Sequence, residues 1–326
     1  MSSDYWKLRS VLVTGGSCFV AATLIRRLLA LNARVHALVR PTSNLWRLEQ
    51  CLDRIAVHQG DITDVAGMSR ILAATMPDAI FHLATAKGSD TEPRQYVETS
   101  ILGSSNLIEL LRAERPCAHM IVTGSSTEYA PSDSALSESS PLGPVTLHGA
   151  VKAAAGLLYS HAARAHGLRI KQLRLFHVYG PWESPYRFLP TALNCLRTGK
   201  AIPLAAGESR RDWIHVDDVV DALLLAGTAD SARDLFNIGS GVEYTNAEVL
   251  AILEELTGQK LRTQPGALPQ RTTDSAHRIA DISLAKTELG WSPKFSLSEG
   301  MANTLNWLEQ MPGVFDRSIG TPPTVI

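Results

Sequence analysis

The stretch Val11-Leu12-Val13-Thr14-Gly15-Gly16-Ser17-Cys18-Phe19-Val20 decides how the whole chain is read. An apolar run ends in Thr-Gly-Gly, and apolar residues then recur at Leu24, Ile25, Leu28 and Leu29 with helical spacing. The pattern predicts a buried strand, a tight glycine turn and a helix. In a βαβ unit such a turn lets the backbone approach a pyrophosphate and aims the helix N-terminus at it, which makes this stretch a candidate dinucleotide site. The competing reading is steric, since strand-to-helix turns use glycine whether or not they bind anything.

Bulk properties narrow the classes. A chain of 326 residues with 45% hydrophobic content suits one large α/β domain with a smaller lobe. Lys plus Arg (31) nearly balances Asp plus Glu (32), so no global field draws the protein to nucleic acid or to an anionic membrane, and the expected partner is a small molecule. The N-terminus has no apolar signal core, and no run of about 18 apolar residues marks a membrane span, which gives a cytoplasmic reading. Cys18, Cys51, Cys117 and Cys195 lie far apart without a Cys-x-x-Cys pair, so reduced thiols are expected rather than a metal site or a disulfide framework.

Outward from the glycine turn, Arg34 to Arg40 reads as a second parallel strand ended by Pro41. An acidic residue at that strand end would hydrogen-bond an adenosine ribose, whereas an arginine pairs with a 2′-phosphate. Arg40 therefore favours NADP(H), with NAD(H) the alternative cofactor and an unliganded surface arginine the bland reading. Ile55 to Gln59 forms a third strand leading into Gly60-Asp61-Ile62-Thr63-Asp64, where Asp64 is placed to cap a helix through Leu72. Ala79 to Ala84 is the fourth strand. A helix is expected from about Pro93 to Arg115, with Ser104 and Ser105 midway, where small residues permit close packing. Met120 to Thr123 is the fifth strand, opening into Gly124-Ser125-Ser126-Thr127-Glu128-Tyr129. A helix then begins at His148 and runs to His166, with His148 and Lys152 four residues apart on one face.

These segments resemble the extended short-chain dehydrogenase/reductases of the epimerase/dehydratase family. The turn is similar to T-G-G-x-G-F-x-G, with Cys18 and Ala21 in place of two glycines, and Phe81 to Ala84 resembles F-H-L-A. Arg174 to Pro181 resembles R-x-F-N-V-Y-G-P with His177 where Asn is commoner, and Arg211 to Asp218 resembles R-D-(aromatic)-I-H-V-D-D. Phe236 to Gly241, Asp281 to Lys286 and Leu289 to Pro293 resemble the later segments. The resemblance implies an α/β fold: a doubly wound parallel sheet (Rossmann-type) with a smaller C-terminal substrate lobe. On that basis residues 1–180 form the dinucleotide-binding domain with later segments returning to it, 181–310 are mainly the substrate lobe, and 311–326 are a loose tail. It also implies a homodimer built on the helix from Pro93 and the helix carrying Lys152. Cofactor contacts are implied at Gly15, Ser17, Cys18, Phe19, Val20, Arg40, Asp61, Ile62, Leu83, Ala84, Thr85, Lys87, Lys152 and Val178.

Members of the family pair a Ser or Thr after the fifth strand with a Tyr-x-x-x-Lys. Here Lys152 is kept, and His148 occupies the tyrosine position. Aligning Tyr129 with the family's aromatic places Ser125 at the catalytic hydroxyl, with Thr127 the alternative. Dehydratases of the family have two acidic residues next, where this chain has Ser126 and Thr127, so dehydration is not expected. On the substrate side the resemblance implies His177, and Arg211 with Arg271 (three before Asp274) as a diphosphate clamp, a role suited to bidentate guanidiniums. The alternative for Arg211 is an ion pair with Asp218. A neutral imidazole accepts a proton in alcohol oxidation and an imidazolium returns it in ketone reduction, but Lys152 one turn away should hold His148 below its ordinary pKa. The resulting expectation is NADP(H)-dependent ketoreduction of a nucleotide-diphosphate sugar. An epimerase with tightly bound NAD and a catalytically silent nucleotide or nucleotide-sugar binder are the alternatives.

Overall fold

The expected first strand is β1 (Ser10–Thr14), buried at every residue, and α1 (Phe19–Ala30) follows the glycine turn. The computed structural model describes residues 4–86, 93–115, 118–206, 209–269, 276–311 and 313–314, so Lys87, Cys117, Arg271 and Asp274 lie outside the described residues, as does most of 311–326. In chain order come β2 (Arg34–Val39), β3 (Ala56–Gln59), α2 (Val65–Thr75), β4 (Ala79–His82), α3 (Pro93–Val97), α4 (Gly103–Glu114) and β5 (His119–Ser125). Next are α5 (Leu147–His166), β6 (Ile170–Leu175), β7 (His177–Tyr179), α6 (Phe188–Thr198), β8 (Ile202–Ala205), β9 (Arg210–His215), α7 (Val216–Ala226) and β10 (Leu235–Ile238). The chain closes with β11 (Glu243–Thr245), α8 (Asn246–Thr257), β12 (Thr263–Leu268), α9 (Ser283–Leu289) and α10 (Leu297–Gln310).

Seven parallel strands form the main sheet in the order β10-β6-β5-β4-β1-β2-β3. The chain winds outward from β1 through β2 to β3, then returns to the other side of β1 with β4, so the order reverses between β1 and β4. A ligand crevice forms at such a reversal, beyond the carboxyl ends of the strands. Alternate residues of β1 explain why the sheet is buried on both faces: Val11 and Val13 pack with Leu24, Leu28 and Val219, while Leu12 packs with Met68, Leu72 and Leu107 on the opposite side. No helix among the described residues is long and apolar enough to cross a membrane.

A smaller body carries β7, β9 and β11 as one sheet and β8 with β12 as another, around a core that includes Leu189, Trp213, Val249 and Met301. The chain does not stay there. β10, the strand expected at Phe236, pairs with β6 in the main sheet, and Arg27 of α1 bonds Asp221 of α7 at 2.7 Å. Asp212 joins the later segments: its buried carboxylate accepts from the amides of Ser240 (2.6 Å), Gly241 (3.0 Å) and Ala280 (3.0 Å). The two oxygens of Asp218 are taken by the amides of Lys294 and Phe295, so its carboxylate serves this packing.

The helix expected over Pro93 to Arg115 is interrupted: Glu98–Leu102 form a wider π turn between α3 and α4. Gly103 follows it because a Cβ there would lie 2.6 Å from the side chain of Ile62. Ser104 has a role beyond small size, since its buried hydroxyl receives the Tyr159 hydroxyl at 2.5 Å and donates to the Ser100 carbonyl at 2.6 Å. Strand ends also differ slightly from the pattern: β3 starts at Ala56, β2 stops at Val39 and β4 at His82, while β5 continues to Ser125.

Candidate active site

Gly15 sits at φ +67°, and a Cβ on it would lie 2.7 Å from the amide nitrogen of Ala84, so the turn passes against the end of β4 as only glycine allows. The Gly16 amide donates to Leu38 at 3.0 Å, which ties the turn to β2 two residues before Arg40. Cys18 occupies the N-cap of α1, and its side chain makes no capping hydrogen bond. The first amides of a helix have no partner within it, so those at Phe19 and Val20 are donors for an anion. Arg47 adds charge that the sequence pattern did not reveal. Its guanidinium is buried between the turn and a later loop, donating to the carbonyls of Ser17 (3.4 Å) and Trp182 (2.7 Å), and burial lowers its pKa to about 10, still cationic at neutral pH.

A dinucleotide fits this cradle on two observations: the donors at the start of α1, and the buried Thr85 hydroxyl without a hydrogen-bond partner among the described residues. Leu83 and Ala84 follow β4 directly beside the turn. Asp61 spends one carboxylate oxygen on the amide and hydroxyl of Thr63 (2.9 and 2.7 Å), and the Ile62 side chain is buried against Gly103. Val178 is half-buried in β7.

Across the crevice, Ser125 ends β5 and its hydroxyl shares a 2.7 Å hydrogen bond with that of Thr127, so the structure brings both candidate hydroxyls together. Glu128 holds this turn: one oxygen accepts from the Ser125 amide (2.7 Å), the other from Arg174 (2.6 Å), and the pair is almost wholly buried. The Ser-x-x-Glu spacing of a capping box was the available signal for Glu128. α5 then lies directly on the turn. A Cβ at Gly149 would be 2.1 Å from the Thr127 carbonyl oxygen, so glycine is required there, and its neighbour His148 is brought to the same edge. One turn on, the buried Lys152 ammonium donates to the Thr123 carbonyl at 2.7 Å, and burial lowers its pKa while Glu128 opposes the shift.

Burial, then the fields of Lys152 and Arg187, lower the His148 pKa to about 4, so its imidazole is neutral at pH 7. His177 lies well below its ordinary value for the same leading reason, with Arg187 and Arg211 adding to the shift. Its ring stands 4.2 Å from Trp213, and its Nε2 has no hydrogen-bond partner among the described residues. The structure thus groups His148, His177 and Arg211 with Arg187, a residue for which the sequence offered no signal because it lies in an irregular segment just before α6. Glu183 anchors Arg187 at 3.5 Å.

Residues 11–239 match the NAD dependent epimerase/dehydratase family. The chain belongs to that family. It is similar to a dTDP-glucose 4,6-dehydratase of Mycolicibacterium smegmatis, at 29% identity over 91% of this chain and 92% of that protein. A UDP-glucose 4-epimerase of the same organism is 30% identical over 91% of this chain and 97% of its own length. A Streptomyces venezuelae dTDP-glucose 4,6-dehydratase, solved with NAD and TYD bound, superposes with a TM-score of 0.86 at 27% identity, covering 95% of this chain and 99% of that one.

Glu183 supplies a pH test of this site. Burial raises its pKa from 4.5 to about 7 although Arg187 favours the ionised form. The folded state therefore keeps a proton that the unfolded state releases, and the stability present below pH 4.5 is lost as pH rises through 7. At about 1.4 kcal/mol per pKa unit, Glu183→Gln should be more stable than wild type at pH 8 by up to about 3 kcal/mol. That gain should fall below about 1 kcal/mol by pH 5 and vanish below pH 4. Urea unfolding at pH 8 and pH 5 checks this, and the same difference at each would refute it.

Proposed function

We propose that the chain carries out NADP(H)-linked oxidation and reduction at a carbon of a nucleotide-diphosphate sugar, with ketoreduction as the net reaction. The observation that carries the redox reading is the meeting of Ser125, His148 and Lys152 at the edge that also holds the glycine turn. Arg40 beside that turn supports NADP(H), and Ser126 and Thr127 in the dehydratases' acidic positions argue against elimination. A bound nicotinamide would supply or accept hydride. Ser125 would orient the reacting oxygen, Lys152 would hold positive charge beside it, and His148 would carry the proton.

At a pKa of about 4 the free enzyme's imidazole is a base rather than an acid at neutral pH. A substrate diphosphate against Arg211 and Arg187 would offset the cationic part of that shift and leave the larger burial part. His148 should therefore titrate higher in the complex than alone. The same neutral base favours a second reading, an epimerase that keeps NAD bound and begins by oxidising a hydroxyl. A relative named as a UDP-glucose 4-epimerase supports that reading too. The homodimer reading is supported by Val97, Leu102 and Leu157, apolar side chains 45%, 50% and 60% exposed on the α3, π-turn and α5 surface.

Three experiments test these readings. Calorimetry should show NADPH binding at least tenfold tighter than NADH, with the preference lost in Arg40→Ala; equal wild-type affinities, or NAD recovered stoichiometrically from purified protein, would favour the epimerase. In pH–rate profiles against a panel of 4-keto nucleotide sugars, the limb assigned to His148 should lie at higher pH in kcat than in kcat/KM. His148→Ala should lose at least a hundredfold in kcat with cofactor affinity kept. Equal turnover of wild type and His148→Ala would remove His148 from the chemistry, and turnover only in His148→Tyr would mark the natural chain as a silent binder. Sedimentation should give a dimer for wild type and a monomer for Leu157→Arg; a wild-type monomer would exclude the dimer.

A further inference from the structure

At the opposite edge of the sheet, where the strands begin, lies a cleft of about 870 Å³ that none of the chemistry above uses. That volume is in the range of small-molecule sites. Among its described lining residues are Arg9, Arg115, Arg164, Arg169, Lys171 and Arg233, against three carboxylates, Asp78, Asp230 and Asp234. The excess is local, because the whole chain has a formal charge of −1.

Some of this charge has internal work. The carboxyl ends of α2, α4, α5 and α7 point to the same edge and favour cations there. Asp78 is engaged by Arg9 (3.4 Å) and the Ser10 amide (2.8 Å), and the Lys171 ammonium donates to the Ser231 and Arg233 carbonyls. Among the described lining carboxylates, Asp230 and Asp234 remain to offset Arg115, Arg164, Arg169 and Arg233. Arg164, Arg169 and Arg233 form no ion pair among the described residues. Arg169 donates instead to the His119 ring at 3.0 Å, which requires that ring nitrogen to be an acceptor and leaves a cation facing a neutral group. Arg115 Nε is buried with no hydrogen-bond partner among the described residues. Tyr5 and Pro77 also line it, with the Arg9 guanidinium 4.7 Å from the centre of the Tyr5 ring, while Leu168 and Ile170 are themselves buried.

We propose that this cleft is a second ligand site, distinct from the sugar-nucleotide crevice, which binds a small anion bearing a string of phosphates. Several guanidiniums around a concave wall suit that chemistry, because each donates paired hydrogen bonds to phosphate oxygens and a recessed site concentrates their field. Inorganic polyphosphate and the phosphate tail of a nucleotide share it.

The test is calorimetric titration of inorganic tripolyphosphate and of ATP into the full chain at low salt. The panel is wild type, Arg164→Glu, Arg233→Glu, the milder Arg233→Lys, and Arg211→Ala in the other crevice. Wild type should bind each probe, Arg164→Glu and Arg233→Glu should weaken binding tenfold or more, and Arg233→Lys should weaken it less. Arg211→Ala should retain binding. Parallel weakening of both probes in the Arg164 and Arg233 variants assigns recognition to the shared phosphates, and ATP binding that these variants leave unchanged overturns the nucleotide as a source. Thermal melts confirm that the variants fold; should the Glu variants unfold, weaker binding by folded Arg233→Lys carries the proposal and unchanged binding overturns it. Absence of binding, equal binding by wild type and folded Glu variants, or loss confined to Arg211→Ala would also overturn it. Failure of the NADP(H) reading would instead appear in the Arg40 titrations and leave this result untouched.

Discussion

The buried ion pair between Glu128 and Arg174 is the constraint on which the active-site edge depends. Its two oxygens reach in different directions, one to the Ser125 amide in its own turn and one to the guanidinium on the neighbouring strand β6. The Arg174 guanidinium also lies 4.5 Å from the centre of the Tyr129 ring, whose hydroxyl bonds Asn237 on β10. Three strands of the sheet are thereby tied to the turn bearing the candidate hydroxyls. Such a pair is costly to desolvate and costly to break, about 3 to 5 kcal/mol when one partner is removed, so its worth lies in fixing geometry more than in net stability.

Parts of the molecule that depend on neighbours in sequence are legible in the sequence itself. The β1 turn and α1, the helix carrying His148 and Lys152, and the Asp64 cap all follow from local periodicity and local hydrogen bonding. What depends on pairing across the chain was not. Nothing local to Phe236 says that it pairs with β6 rather than with the smaller sheets. Ser104 read as a small packing residue because its hydroxyl partner, Tyr159, lies on another helix.

The candidate site divides along the same line. Ser125, His148, Lys152 and Arg211 stand in motifs, whereas Arg47 and Arg187 come from irregular segments where a single arginine looks like any surface charge. In the fold one lies against Ser17 and the other acts on His148 and His177, and both share the field of Glu183.

The neutral histidines have a consequence for the protein as a whole. His82, His148 and His215 are held at about 3, 4 and 4 by burial, and His177 lies well below its ordinary value, so the folded chain leaves all four unprotonated at mild acidity. Unfolded, each would take up a proton near pH 6.5. Unfolding below that pH is therefore proton-consuming, and each histidine steepens the loss of stability by about 1.4 kcal/mol per pH unit until its own folded pKa is reached. Acid acts on this protein as a ligand of its unfolded state.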